Sequence, residues 1–423
     1  MTAGPIVMDV SRLLWRSYRA APGGIDRVEL ALAEELLRRD LDVHFVFTDT
    51  GGLLALPKDR VARMVAETAA RWRGTDEDSG THRVMAYLRG EDPFPPMRPA
   101  WRDGQLGLRE MGEWASSLLR YARCRPLRLT RAERLAATYL NVSHRNLDKS
   151  GLLWALGGIG RCIAYIHDDI PLRAPELSLP GLTAAFGRMF QNVARGSFEI
   201  LTNSQTSATR IAETAAGMGL VLARPVVVPP PLAPLFMQPA PRSITERRFF
   251  LTAGLFTRRK NLGVLVEAAA LAERLSGVEP FDIVFVGAPG RDASQILAGW
   301  PSQPGRIRLL RAEGLSDHAY SRLLGASAAL LAPSLDEGYD YPLHEALASR
   351  VRVMASDIGA HRDGVPWPID LLAPGDTAAW ARALVEAARH HPQECADTPM
   401  PQHARRHPTS ADLLRHVAPF QGP

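Results

Sequence analysis

The chain has 423 residues, 46% of them apolar and 22% charged, with a formal net charge of +5. That length exceeds one ordinary domain and fits two of about 200 residues each. The composition excludes a disordered or low-complexity protein, and no stretch reaches the roughly 18 consecutive apolar residues of a membrane span.

Three cysteines, Cys124, Cys162 and Cys395, are far apart and odd in number. Their spacing fits neither a metal site nor a disulfide framework and points to a reducing compartment. The first residues, M-T-A-G-P-I-V-M-D-V, carry no basic segment and no long apolar core, so they do not read as a signal peptide. The expected location is cytoplasmic.

In chain order, Pro5 to Val10 reads as a strand, Ser11 to Gly24 as a loop and Ile25 to Arg39 as a helix. Ile25, Val28, Leu32 and Leu36 form that helix's apolar stripe. Val43 to Thr48 is the next strand. Helices are expected at 58–72, 105–123 and 130–138, with a Pro-rich loop from Pro93 to Pro99. Strands follow at Tyr139 to Val142, Cys162 to His167 and 198–203, and helices at 181–195 and 205–217. V-V-V-P-P-P-L-A-P, Val226 to Pro234, is a strand running into a proline-stiffened connector, where the first domain should end. The second half then has strands at Phe249 to Ala253, 282–287, 306–310, 328–333 and 351–355, separated by helices. Strands alternating with helices argue for parallel, doubly wound sheets in both halves. The expected division is 1–235, 245–395, and a tail, 396–423, with a short helix from Ser410 to Val417.

The charge is unevenly spread. Between Arg98 and Arg134 nine arginines face four acids, an excess equal to the net charge of the whole chain. One reading is a solvated helical face. The other is a peripheral dock for anionic lipid, with Leu118, Leu119 and Tyr121 among the arginines. Nucleic acid is not expected, because no helix-turn-helix, finger or RNP-like pattern accompanies the charge.

Four segments carry chemistry. S-L-D-E-G-Y-D-Y-P-L-H-E-A, Ser334 to Ala346, places Glu337 and Glu345 eight positions apart, with Gly338, Tyr339 and Pro342 between them. Pro342 suits the first position of a helix, which puts Glu337 in a loop at a strand's carboxyl end and Glu345 in the following helix. G-L-F-T-R-R-K-N, Gly254 to Asn261, brings Arg259 and Lys260 to a strand end at a helix start, where a phosphate can meet both side chains. A basic helix cap is the plain alternative. Y-I-H-D-D-I-P, Tyr165 to Pro171, sets His167 at another strand end, either to meet a sugar hydroxyl or as a satisfied core histidine. Asp168 and Asp169 are adjacent and lack a third ligand, so no metal is expected there. P-G-G-I-D-R-V, Pro22 to Val28, lets the backbone near Gly24 approach a ligand closely, or is simply a loop.

These segments together resemble the retaining glycosyltransferases of family 4, bacterial surface-polysaccharide type, through the E-x7-E spacing, the R-K-N element, the H-D-x-x-P element and N-S-Q-T-S-A from Asn203 to Ala208. The resemblance implies a GT-B fold, an α/β architecture of two Rossmann-like doubly wound domains with a cleft between them. It implies transfer of a hexose, mannose being the first to try, from a nucleotide-diphosphate sugar to a hydroxyl of a growing glycan or lipid-linked saccharide, without metal or other cofactor. Arg259 and Lys260 would stabilise the departing diphosphate. Glu345 would hold ribose hydroxyls, and Glu337 hydroxyls of the transferred sugar. His167 would lie near the donor sugar, and Gly24, Gly338 and Tyr339 would line the donor. Leu255 replaces an arginine usual in the family, Asp340 replaces a glycine, and Arg350 and Arg352 replace a small residue and a proline. An acid at 340 would face the phosphates unfavourably. These departures leave open a non-catalytic binding protein, and a phosphorylase or sugar-nucleotide epimerase would share the fold.

Overall fold

A computed structural model describes residues 4–49, 52–74, 79–92, 112, 115–116, 119–121, 123–239, 245, 247–275, 277–290, 293–296, 299–301, 305–363, 369–389 and 408–417. The chain forms two compact units: residues 1–70, 106–231 and 408–423 make the first, and residues 71–105 and 232–407 the second. Leu118, Cys395 and the Pro93 to Pro99 loop, with most of the expected helix 105–123, lie outside the described residues.

The first unit holds strands β1 (Ile6–Asp9), β2 (Val43–Asp49), β3 (Gly52–Leu56), β4 (Arg125–Pro126), β5 (Thr138–Asn141), β6 (Arg161–Tyr165), β7 (Glu199–Thr202) and β8 (Val226–Val227). They form one sheet in the order β4-β3-β2-β1-β5-β6-β7-β8. Pairing is parallel from β2 through β8 and antiparallel at β2–β3 and β3–β4. The order reverses at β1, with β2 on one side and β5 on the other. The loop after β1 therefore opens at a topological switch point, where α/β sheets take ligands.

The helix Gly24–Arg38 buries Val28, Leu32 and Leu36 completely, as its stripe requires. The expected loop from Ser11 is in part a helix, Ser11–Arg16, too short for its periodicity to be read. The tail helix Ser410–Val417 belongs to the first unit, where the Arg161 guanidinium donates to the Val417 and His416 carbonyls.

The second unit has six parallel strands: β9 (Arg248–Ala253), β10 (Phe281–Val286), β11 (Ile307–Ala312), β12 (Leu330–Ala332), β13 (Val353–Ser356) and β14 (Asp370–Leu372), in the order β11-β10-β9-β12-β13-β14. Its strands alternate in two-residue steps between two cores. Phe250, Ile283 and Leu309 pack with Leu265, Ala268, Trp380 and Leu384 of the helices Gly263–Glu273 and Thr377–Arg389. Phe249, Leu251, Val284 and Leu310 point to the opposite face, against Leu323, Leu324, Leu343 and Leu347. Strands buried on both faces read as near-continuous apolar runs, which is why F-F-L-T-A and F-D-I-V-F-V were legible.

The helix Ser79–Leu88 joins this second core through Val84, Met85, Tyr87 and Leu88. Fully burying each large apolar side chain contributes about 1.5–3 kcal/mol, enough to hold a ten-residue helix that is marginal alone.

Candidate active site

The switch of the second sheet lies between β9 and β12. The R-K-N element follows β9 and the E-x7-E element follows β12, so the two motifs leave adjacent strands at the edge where ligands bind.

β9 ends at Gly254, which has φ +140°; a Cβ there would come within 2.9 Å of Lys260 Cε, so the lysine stem lies across the glycine. Arg258–Lys260 is a single 3-10 turn, and Asn261 follows in the left-handed region at φ 50°. The helix itself starts only at Gly263. This corrects the expectation that Arg259 and Lys260 sit at a helix start, because Asn261 breaks the turn from the helix. The Asn261 amide donates to the Pro333 carbonyl at 3.0 Å and the Pro374 carbonyl at 2.9 Å, and Leu335 N–H donates to the Arg259 carbonyl at 2.8 Å. These bonds fasten the basic turn to the end of β12.

The acids meet those cations directly. Lys260 Nζ is 2.8 Å from Glu337 Oε1 and 2.9 Å from Asp340 Oδ1. Glu337 Oε2 pairs with the Arg259 guanidinium, and Ser334 Oγ donates to Glu337 Oε1 at 2.9 Å. Asp340 Oδ2 lies 3.1 Å from His361 Nε2, and His361 Nδ1 lies 2.8 Å from the Ser356 carbonyl. Lys260, Glu337, Asp340 and His361 are all buried, whereas the Arg259 side chain keeps 28% of its surface exposed. Burial opposes the lysine's charge, but Asp340 and Glu337 outweigh it and hold the Lys260 pKa above its ordinary value. Burial likewise opposes the Asp340 charge; Lys260 and His361 prevail and keep this carboxyl well below the usual carboxylate range.

Asp340 occupies the N-cap of the helix Tyr341–Ala348 at φ 60°, with Pro342 in the first turn as expected. The acid at 340, expected to face the phosphates, is buried and doubly paired. Glu345, on the same helix, is 2% exposed. Burial first, and the Glu345 charge second, push the Tyr339 phenol up. Tyr339 stacks flat on His344, ring centroids 3.7 Å apart. Gly338 lies between Glu337 and Tyr339 in the same turn.

Arg350 and Arg352 are elsewhere. They precede β13, at the opposite end of the strand from Ser356, and Arg352 pairs with Asp370 at 2.8 Å. Leu255 is 49% exposed beside Gly254.

His167 belongs to the first unit, at the end of β6. Its N–H donates to His144 Nε2 at 2.8 Å, and its ring Nε2 lies 2.8 Å from the Val142 carbonyl. A carbonyl only accepts, so that nitrogen carries the proton and Nδ1 keeps the lone pair. Burial lowers the His167 pKa to about 4, and the ring is neutral at physiological pH. The His167 carbonyl accepts from Asn203 Nδ2 at 2.7 Å. Asp168 and Asp169 shape the following turn: Ile170 N–H donates to Asp168 Oδ1, and Thr214 Oγ1 to Asp169 Oδ2. Among the described residues no group of three or more His, Cys, Asp or Glu is placed to hold a metal ion.

Gly24 opens the second helix after β1, and the preceding Gly23 N–H donates to Asp26 Oδ2 at 2.7 Å. Asp26 also pairs with Arg12 at 2.5 Å and Arg16 at 3.4 Å. The Gly-Gly loop therefore closes on its own carboxylate. Next to it, burial raises the Glu29 carboxyl to about 8, although Oε1 accepts the Leu13 N–H at 3.0 Å.

In the basic segment, Arg120 pairs with Glu67 at 3.2 Å, and the buried Tyr121 donates its hydroxyl to the same carboxylate. Tyr121 is thereby committed to the fold, while Leu119 remains 84% exposed.

Sequence reasoning placed Arg259, Lys260, Glu337 and Glu345 at this edge but missed His361, Ser334 and the stapling role of Asn261. His361 carries no motif of its own; A-S-D-I-G-A-H only becomes informative once β13 is placed beside β12.

Residues 247–390 match the family of glycosyl transferases group 1. No curated protein is similar enough in sequence to count as a relative. Among solved structures, Anabaena Alr3699/HepE in complex with UDP and glucose is similar at TM-score 0.59 and 12% identity, covering 98% of both chains. The sucrose-phosphate synthase tll1590 from Thermosynechococcus elongatus is similar at TM-score 0.51 and 12% identity, again over 98% of both chains. The second unit carries a glycosyl transferases group 1 domain, and the chain has the GT-B fold of two Rossmann-like units.

Proposed function

We propose that this protein is a retaining glycosyltransferase that moves a hexose from a nucleoside-diphosphate sugar to a hydroxyl of a glycan or lipid-linked saccharide. The observation that carries the reading is the meeting of Arg259 and Lys260 with Glu337 at the switch of the second sheet. Breaking a glycosidic bond to a diphosphate builds negative charge on the leaving group, and preorganised cations at that point lower the barrier. Arg259 is the solvent-reachable fork for phosphate oxygens, and Lys260 the deeper charge. Glu337 lies against both cations, within reach of whatever they bind, and suits the hydroxyls of the transferred sugar. Glu345, one helix turn beyond Tyr341, suits the ribose.

Support comes from the family match over residues 247–390 and from the fold shared with a protein crystallised with UDP and glucose. The departures that favoured a non-catalytic protein weigh less now. Arg350 and Arg352 sit away from the site, and the Asp340 charge is compensated.

A thermal-shift screen against UDP, GDP, dTDP and ADP, followed by their hexose conjugates with GDP-mannose and UDP-glucose first, tests the reading. A ligand bound only by the folded state raises Tm by mass action. A rise with one nucleoside diphosphate and its sugar conjugate is expected; no rise with any of them contradicts the proposal.

A further inference from the structure

Asp340 sits where backbone conformation asks for glycine, asparagine or aspartate, since φ is 60° at the start of the helix Tyr341–Ala348. The backbone does not ask for a charge. Yet the carboxylate is buried, with one oxygen on Lys260 at 2.9 Å and the other on His361 at 3.1 Å. Lys260 also holds Glu337 at 2.8 Å, and Arg259 is paired with Glu337. The two cations are therefore already balanced by two carboxylates. The Lys260 ammonium donates to Asp340 Oδ1 and is ion-paired with Glu337 Oε1.

His361 fixes the carboxylate in this position. The histidine is 0% exposed, with one ring nitrogen against a carbonyl and the other against Asp340. A neutral ring can donate from only one nitrogen. An ionised carboxylate only accepts, so the Asp340 contact is a hydrogen bond donated from Nε2. Asp340 is thus held through one oxygen by Lys260 and through the other by His361.

Resting on the donor-site reading above, we propose that Asp340 is a specificity- and affinity-setting residue of that site: a built-in anion that competes with the donor's diphosphate for Lys260. A nucleoside diphosphate carries at least two negative charges, and at short range in a partly desolvated site each like charge repels strongly. With Asp340 present the diphosphate is held mainly by Arg259. The protein then binds nucleoside diphosphates weakly and releases them readily, and it favours donors whose sugar and base contribute most of the binding.

Asp340→Asn isolates the charge. Asparagine tolerates the left-handed backbone, keeps an acceptor for Lys260 and offers His361 an amide donor. Affinities of UDP, GDP and ADP are measured by titration calorimetry for both proteins, with the matching uncharged nucleosides as the control. The expected result is a Kd for the preferred nucleoside diphosphate at least about tenfold lower in the variant, with nucleoside affinity unchanged and a donor KM that falls more than kcat rises. A purely structural role for Asp340 would weaken or leave unchanged both affinities. Wild-type binding of a nucleoside diphosphate, with equal or weaker binding by Asp340→Asn, overturns the inference and leaves the donor site standing. Absence of binding by both proteins, each verified folded by its Tm, overturns the donor site and the inference with it.

Discussion

Lys260 Nζ stands 2.8 Å from Glu337 Oε1, joining the basic turn after one strand to the acidic loop after its neighbour. The two motifs are 77 positions apart, as the contact of Arg259 with the Asp336 carbonyl shows. They meet because β9 and β12 are adjacent in the sheet although β10 and β11 come between them in the chain. A buried pair of this kind is costly to form and costly to break from one side.

Removing Lys260 and removing Arg259 should therefore differ. Lys260→Ala leaves Glu337 and Asp340 buried with less compensation and should destabilise the second unit by about 3–5 kcal/mol. Arg259→Ala removes a partly exposed partner, so its stability cost should be smaller. Its loss of transition-state stabilisation should exceed about 1 kcal/mol, the scale of a charge-assisted hydrogen bond. Urea denaturation and kcat/KM measured on both variants check the contrast, and equal unfolding free energies for the two would contradict it.

Asn261 should be worth more than its exposure implies. It bonds two carbonyls from different strand ends while holding a left-handed backbone. Asn261→Gly keeps the backbone conformation and removes only the staple, so two acceptors lose their donor. A stability loss of about 1–3 kcal/mol is expected, together with a rise in donor KM as the basic turn loosens. An unchanged KM would show that the turn needs no staple.

Much of this was legible in the residues, and the boundary is instructive. The strand ends carrying Arg259, Lys260, Glu337 and His167 were readable because buried parallel strands form apolar runs and glycine or proline marks their ends. The helix Ser79–Leu88 was not read, and its amphipathic pattern would not have named its partner: Val84 and Leu88 pack on strands that come much later in the chain. The partners of Asp340 were hidden for a related reason. The residues around it do not reveal that Lys260, 80 positions earlier, and His361, 21 later, hold its two oxygens. The short helix Ser11–Arg16 fell below the length at which periodicity can speak.

Glu29 provides a pH signature in the first unit. Burial raises its pKa from 4.5 to about 8, so between those values the folded chain holds a proton that the unfolded chain has lost. Its contribution is fully present below about pH 4.5 and is lost as pH rises through about 8. Glu29→Gln should remove that slope, making the variant's Tm less sensitive to pH from about 5 to 8 than the wild type's. Parallel Tm profiles for the two proteins would show that the carboxyl is ionised in the fold.

Turnover should persist in excess EDTA. The side chains of Asp168 and Asp169 are occupied in turn hydrogen bonds, and Arg259 and Lys260 stand where a divalent ion would otherwise neutralise phosphate. Loss of turnover on chelation, restored by Mg²⁺ or Mn²⁺, would contradict the assignment of that task to the two side chains.

The most direct measurement is release of nucleoside diphosphate from a nucleotide sugar by the wild type and by Glu337→Gln, with donor affinity titrated on both. The account predicts release by the wild type, with kcat at least about a hundredfold lower in the variant while donor binding is unchanged or tighter, because Glu337 acts on the transferred sugar and its charge, like that of Asp340, lies against Lys260. Equal release by the two proteins would contradict the account, as would a wild type that binds no nucleotide sugar.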